Sequence, residues 1–499
     1  MKKAPLRVLR RASRPVGVVM LGLAAVMLLC AAVGGVLEMI GSVRVGIDTG
    51  SGLDLLLSAA VTGLAGALLA RVGERGELAD LTRRDAIVLT AGIWLCSGLF
   101  GALPYMLGAG MSPADAVFEA ISGFTTTGAT VVGDIEGTLS RPLLLWRSLT
   151  QWLGGMGIVV LFVAVFPRVG AAGKHLFRAE VPGPTSEGLA PRVGETATWL
   201  YGMYVGLTVL EFAVLVLLGM QPFEAICHAF TTVSTGGFST RDASVAAFGS
   251  GPIEVAIAVF MLAAGVNFGL YYGVLRSRRL SLFLQSTELR GYLALVGFVA
   301  GALTLFNLGL HDGNLLVSAR YALFTTATFI TSTGYGIEDY MAFPGGGLGL
   351  VLLLMFVGGC AGSTAGGIKV ARVLLVLKTL RAQVRRSVRP HVVQIVRMGG
   401  RKVEPSLLLE VSAFICLYVA SVGVFTWVLC VMEGVSLGTS FGATLTSISN
   451  MGPAPYYTDA DNFVVYSDPA KLLFSFEMVL GRLEFMTLLA LLIPDAWER

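Results

Sequence analysis

Four short clusters of threonine, serine and glycine recur along this chain, and the chemistry they suit is the stripping of water from a cation. They close the stretches "DAVFEAISGFTTTGAT" (115–130), "FEAICHAFTTVSTGGFS" (223–239), "ARYALFTTATFITSTGYG" (319–336) and "GTSFGATLTSISNMGPAP" (438–455). Aligned on one glycine they read Thr126-Thr127-Gly128, Ser234-Thr235-Gly236, Ser332-Thr333-Gly334 and Asn450-Met451-Gly452. Glycine accepts backbone angles that other residues resist, so successive carbonyl oxygens can face one way and replace a hydration shell. Two places before each glycine, Thr126, Ser234, Ser332 and Asn450 add a side-chain oxygen or a helix-ending hydrogen bond. No carboxylate falls within the triplets, which argues against a tight calcium or magnesium site, because those ions favour charged oxygens. One such cluster is commonly a turn or a helix-packing seam. Four in register between apolar runs ask for a shared role.

The elements that position them follow from spacing and hydropathy. The glycines are separated by 236−128 = 108, 334−236 = 98 and 452−334 = 118 residues, an internal repeat of roughly a hundred. Each unit reads helix, half-helix, polar glycine segment, helix, in the same orientation. Of 499 residues 55% are hydrophobic and 14% charged, with mean hydropathy +0.76; soluble domains carry about 25% charged residues. The chain therefore reads as an all-α polytopic membrane protein. Runs long enough to cross about 30 Å of hydrocarbon fall near 16–40, 52–71, 86–108, 145–167, 196–219, 252–275, 288–310, 346–380, 407–432 and 470–493. This divides the chain into a two-helix segment (1–78) and four parallel repeats (79–180, 181–282, 283–402 and 403–499), the third with a broken second helix.

Charge supplies the orientation. Residues 1–14 hold six basic side chains and no acidic one, and 369–402 holds ten basic residues, whereas 111–140 and 437–466 hold none. By the positive-inside rule both termini are cytoplasmic. The basic arm does not read as a nucleic-acid tail, since an apolar run follows at once, and that run is too long for a signal peptide. Lipid tolerates non-helical backbone only where it is buried or lines a water-filled path. Four glycine segments grouped about a shared axis meet that condition, and half-helices pointing inward would aim their negative C-terminal ends at a cation.

Span 346–380 is too long for one straight helix and contains "GGCAGSTAGG" (358–367). Its five glycines cost a helix about 1 kcal/mol each relative to alanine, so a break is expected at Gly358, Gly359, Gly362, Ser363, Thr364, Gly366 and Gly367. A phosphate loop would need Gly-Lys-Ser/Thr, and the order here is Gly367-Ile368-Lys369. Lys369 is expected to snorkel to the cytoplasmic interface. Arg482 lies within the last span, where a charge is costly and usually functional; it is read either as a positive barrier facing a cavity or as a donor to loop carbonyls. Pairing with Glu484 is disfavoured, because residues two apart do not share a helix face. Asp134, Glu136, Glu338 and Asp339 either concentrate cations at a mouth or are solvated loop charges. Asn267 either faces a cavity or bonds across helices. The four histidines are scattered, the six cysteines form no disulfide pattern, and no nucleophile–base constellation suggests an enzyme.

Taken together, "SGFTTTGAT", "QWLGGMGI" (151–158), "TTVSTGGFS", "AAGVNFG" (263–269), "TSTGYG", "GGCAGSTAGGIK" (358–369), "NMGP" and "GRLE" (481–484) resemble the Trk/Ktr/HKT potassium-transporter superfamily over nearly the whole chain. The two extra N-terminal spans make it more similar to the TrkH/TrkG branch than to KtrB, which lacks them. The resemblance implies a pseudo-fourfold potassium pore within one chain, with the twelve triplet residues as its selectivity filter and no organic cofactor. It also implies a glycine-rich loop that obstructs the pore beside Arg482, a homodimer, and cytoplasmic TrkA-like nucleotide-binding subunits at a bacterial cytoplasmic membrane. Departures are present: only the third copy has Gly-Tyr-Gly, and Met451 and Pro453 flank the fourth glycine, which implies an asymmetric filter. The rival reading is a secondary symporter coupling potassium to sodium or protons. Such carriers usually show inverted repeats or two parallel halves, rather than four parallel units.

Overall fold

The computed structural model of this chain describes residues 4–40, 51–73, 83–157, 193–389, 395–453, 462–485, 488, 489 and 491. It opens with two long helices, α1 (Ala4–Ile40) and α2 (Ser51–Val72), packed along their length. Gly17 and Gly66 let them close: a Cβ on either would meet the other helix's backbone. Small residues permit this approach, and in lipid close packing is what holds helices together. The pair rests on the first repeat.

The first repeat comprises α3 (Arg83–Gly101), the half-helix α4 (Pro113–Phe124) and α5 (Arg141–Gly155). The second comprises α6 (Val193–Leu217), half-helix α7 (Pro222–Val233), α8 (Gly251–Ala264) and α9 (Phe268–Ser277). Next come α10 (Thr287–Phe306), half-helix α11 (Leu315–Ile330), α12 (Gly345–Phe356) and α13 (Val370–Val388). The last repeat has α14 (Pro405–Glu433), half-helix α15 (Leu437–Ser449) and α16 (Asp468–Arg482). The half-helices hold 12, 12, 16 and 13 residues. At 1.5 Å per residue none can cross about 30 Å of hydrocarbon. Their starts are written locally. Ser112, Asn314 and Ser436 accept the orphan N–H groups of the first turn, and Pro113 and Pro222 stand where a missing N–H costs nothing.

Polarity is reversed relative to a water-soluble core. Val209 and Leu217 of α6, Phe298 and Leu305 of α10, and Leu409 and Trp427 of α14 are exposed, while the threonines and serines at the half-helix ends are buried. Among the described residues six helices are long and apolar enough to span a membrane, seven if α8 and α9 count as one span bent by 85°.

The ten spans expected from hydropathy are broken in more places than expected. A break was expected in the third repeat alone, yet the second helix stops at a comparable point in all four: Gly155, Ala264, Phe356 and Arg482. In the second repeat Gly265 ends α8 and Asn267 starts α9, its Oδ1 accepting the Gly269 N–H at 2.7 Å. Hydropathy averages over a break that one glycine and one asparagine impose. The later parts of 145–167 and the 454–461 stretch lie outside the described residues, as do His175 and His391.

Candidate functional site

Each half-helix ends in the same way. The residue just past its last turn is left-handed and is not glycine: Thr126 (φ +56°), Thr235 (+56°), Ser332 (+54°) and Asn450 (+53°). Such a conformation costs about 1–2 kcal/mol in an L-residue, so four matched instances mark a constraint held by the surroundings. The next N–H turns back onto the half-helix: Thr127 to Ser122 O (2.9 Å), Gly236 to Thr231 O (2.8 Å), Thr333 to Thr328 O (2.9 Å) and Met451 to Thr446 O (3.0 Å). A second left-handed residue follows at Gly128, Gly237 and Gly334 (φ +80°, +78° and +85°). Gly452 is not left-handed, since the residue before a proline is pushed to extended angles, here by Pro453.

These bonds correct one register. In the second repeat the equivalent triplet is Thr235-Gly236-Gly237, one residue later than Ser234-Thr235-Gly236. Ser234 instead caps α7, its hydroxyl donating to Thr231 O at 3.2 Å. Two adjacent glycines leave the alignment ambiguous in sequence; the end of the half-helix decides it.

The four segments touch in chain order, and the fourth returns to the first. A Cβ on Gly128 would strike the Gly236 carbonyl, one on Gly237 the Thr333 carbonyl, and one on Gly334 the Gly452 nitrogen; one on Gly452 would sit 3.1 Å from the Gly128 carbonyl oxygen. Asn450 adds to the last joint, its amide donating to Thr127 Oγ1 (3.1 Å) and Met478 O (2.8 Å). Thr125 and Thr127 share a hydroxyl–hydroxyl bond of 2.7 Å, as do Thr331 and Thr333. The first and third segments are thus alike, and the second and fourth, with Gly236 and Met451 there, differ.

The loop 359–367 bridges a two-residue parallel pairing of Val357–Gly358 with Ile368–Lys369. It is tied to the second repeat and to the ring segment of its own. Cys360 N donates to Gly265 O (2.8 Å), Thr364 Oγ1 to Val233 O (3.1 Å) and Gly366 N to Ser332 Oγ (2.6 Å). Arg482 joins it from α16: Nη1 donates to Thr364 O and Thr126 Oγ1 (both 3.1 Å), Nη2 to Gly154 O (2.6 Å) and Gly155 O (2.8 Å). A cavity beside the loop is lined by Gly362, Gly366, Asn450, Arg482 and others. The expected loop residues and Arg482 therefore meet, and Arg482 bonds a loop carbonyl while also lining that cavity. Glu484 pairs with Arg372 at 2.5 Å, not with Arg482. Lys369 does not snorkel: it is 2% exposed, and its ammonium donates to Ala365 O. The loop doubles back through paired strands, so the lysine points into its own turn.

The acidic residues are mostly spoken for. Asp134 accepts from Gly137 N (2.7 Å) and Asp339 from Met341 N (2.9 Å), and Glu136 pairs with Arg241 (3.2 Å). Glu338 sits 3.2 Å from His311; burial pushes its carboxyl up, with His311 pulling the other way. Two groups escaped the sequence reading. The buried pair Arg147–Glu119 (2.7 Å) also reaches Ser239 O at 2.9 Å, tying the first repeat to the second. Gln151 lies within the "QWLGG" string but has no periodicity to flag it.

A family model described as TrkH, cation transport protein, matches residues 77–497. The chain belongs to the TrkH family. Among its curated TrkH-family relatives, the Trk system potassium uptake protein TrkH of Halomonas elongata is 38% identical over 84% of this chain and 87% of its own. The TrkH of Escherichia coli K12 is 36% identical over 85% and 88%, and TrkG of the same strain 34% identical over 84% and 86%. The crystal structure of the potassium transporter TrkH from Vibrio parahaemolyticus superposes with a TM-score of 0.87 at 30% identity, covering 98% of this chain and 99% of that one. With its several apolar helices, this TrkH-family chain is a multi-pass membrane protein.

Proposed function

We propose that this chain carries potassium inward across a bacterial cytoplasmic membrane, through a pseudo-fourfold filter formed by its own four repeats. The observation that carries the reading is the ring of four half-helix ends, each turned left-handed and each packed on the next. Four such ends aim helix C-termini and backbone carbonyls at one axis, an arrangement suited to a monovalent cation that must exchange water for neutral oxygens. In register, the filter is Thr126-Thr127-Gly128, Thr235-Gly236-Gly237, Ser332-Thr333-Gly334 and Asn450-Met451-Gly452. The loop 358–367, held by Arg482, is its gate. Relatives named as parts of a Trk system support regulation by cytoplasmic TrkA-like subunits; the chain is read as a homodimer, and the basic residues of 1–14 and 369–402 support both termini inside.

The test is rubidium uptake by a potassium-uptake-deficient cell, comparing wild type with Gly334→Ser. The substitution strains φ +85° and crowds the Gly452 backbone. The preference for rubidium over sodium should fall at least about tenfold, equivalent to about 1.4 kcal/mol; equal transport would remove Gly334 from the filter. In liposomes, flux that depends stoichiometrically on a sodium or proton gradient would replace this reading with coupled transport.

A further inference from the structure

Three of the four segments are fastened by one device. A hydroxyl on the half-helix, four residues before the left-handed turn, donates to the carbonyl of the residue after the ring glycine. Ser122 reaches Ala129 O (2.5 Å), Thr328 reaches Tyr335 O (3.1 Å) and Thr446 reaches Pro453 O (2.9 Å). Each bond closes the segment into a small loop of fixed width. In the second repeat the matching hydroxyl, Thr231, is directed elsewhere: it meets the Tyr335 phenol at 2.5 Å and Cys227 O at 3.0 Å. That segment would be left open on its outer side.

Gln151 closes it. From the first repeat's α5, fully buried, its Nε2 donates to Gly236 O (2.7 Å) and its Oε1 accepts from Phe238 N (3.0 Å). The two bonds bracket Gly237. The room for this amide comes from Gly236 itself, where a Cβ would collide with the Gln151 side chain. The positions equivalent to Gly236 are Thr127, Thr333 and Met451, all with side chains. The double glycine of "STGG" thus has two separate tasks: Gly237 takes the left-handed angle, and Gly236 admits Gln151.

We propose that Gln151 is a positioning residue for ion selection, setting the width of the second quarter of the ring in place of the missing hydroxyl fastening. The proposal rests on the reading of the ring as a filter. It also makes the shape of the second quarter depend on a side chain of the first repeat. Bonds that hold carbonyls at a set spacing from behind decide how closely a cation of given size is matched.

The experiment is rubidium against sodium flux into liposomes holding the purified protein, for wild type, Gln151→Met and Gln151→Glu. Gln151→Met keeps the buried volume and removes both bonds; Gln151→Glu keeps the acceptor for Phe238 N and puts an oxygen against Gly236 O. Both should elute and melt as folded protein and still pass rubidium. Their rubidium-to-sodium ratio should drop by roughly tenfold, the scale of one lost hydrogen bond to a buried acceptor. An unchanged ratio in either folded variant overturns the role. So does failure of both to fold, because that would make Gln151 a support of the fold and not of selection. Wild type passing no rubidium would instead defeat the filter reading, leaving the two failures distinct.

Discussion

Arg482, from the fourth repeat, is one side chain asked to satisfy four acceptors drawn from the first and third. A guanidinium presents five donors in a rigid fork, which lysine cannot imitate. Its bonds to Thr364 O, Gly154 O and Gly155 O hold the loop 359–367 against the end of α5. Removing it frees the loop and removes a positive charge from the cavity, and both changes act in the same direction. Arg482→Ala should therefore raise basal rubidium flux several-fold in liposomes without regulatory subunits, and Arg482→Lys should restore little of the control. Flux equal to wild type in Arg482→Ala would remove it from the gate.

Among the elements, the half-helices and the helix breaks do most to place the site, and the N-terminal pair does least. The seam between α1 and α2 depends on Gly17 and Gly66 lying backbone to backbone. Gly66→Val forces bulk into that seam, at a cost of about 1–3 kcal/mol for overpacking a fitted contact. The thermal midpoint in detergent should fall, whereas the rubidium-to-sodium ratio should stay that of wild type. A changed ratio would mean that the pair reaches the ring. Breaks after Gly155, Ala264, Phe356 and Arg482 serve the opposite purpose, since they let the chain leave the helix beside the ring. Of these, the sequence pattern announced only the third, where five glycines crowd ten residues. The others rest on one or two residues each, such as Gly265 with Asn267, and a hydropathy window passes over them.

At the scale of the whole molecule, the ring joins parts of the chain separated by more than three hundred residues, as Asn450 does with Thr127. A cation bound at its centre would tie all four repeats together and would bind the folded state alone. Ligand at a hundred times its dissociation constant adds about 2.7 kcal/mol to stability. The unfolding midpoint should accordingly rise with potassium or rubidium over an impermeant organic cation, with sodium less effective. A midpoint indifferent to potassium would contradict a bound ion in the ring.

The repeat, the membrane class, the half-helices and the glycine-rich loop were legible along the chain, whereas Arg482 was set beside that loop through the resemblance to the family. Those features are written in local composition: apolar runs, capping serines and prolines, and glycine density. The second triplet as Thr235-Gly236-Gly237, the burial of Lys369 in its own loop and the fastening of the second segment by Gln151 emerge from the folded chain alone. Each of these depends on where a helix stops or on a side chain arriving from another repeat. Hydrogen bonds of that kind span about ninety residues in the case of Gln151 with Gly236 and Phe238, and no spacing rule along the chain encodes them.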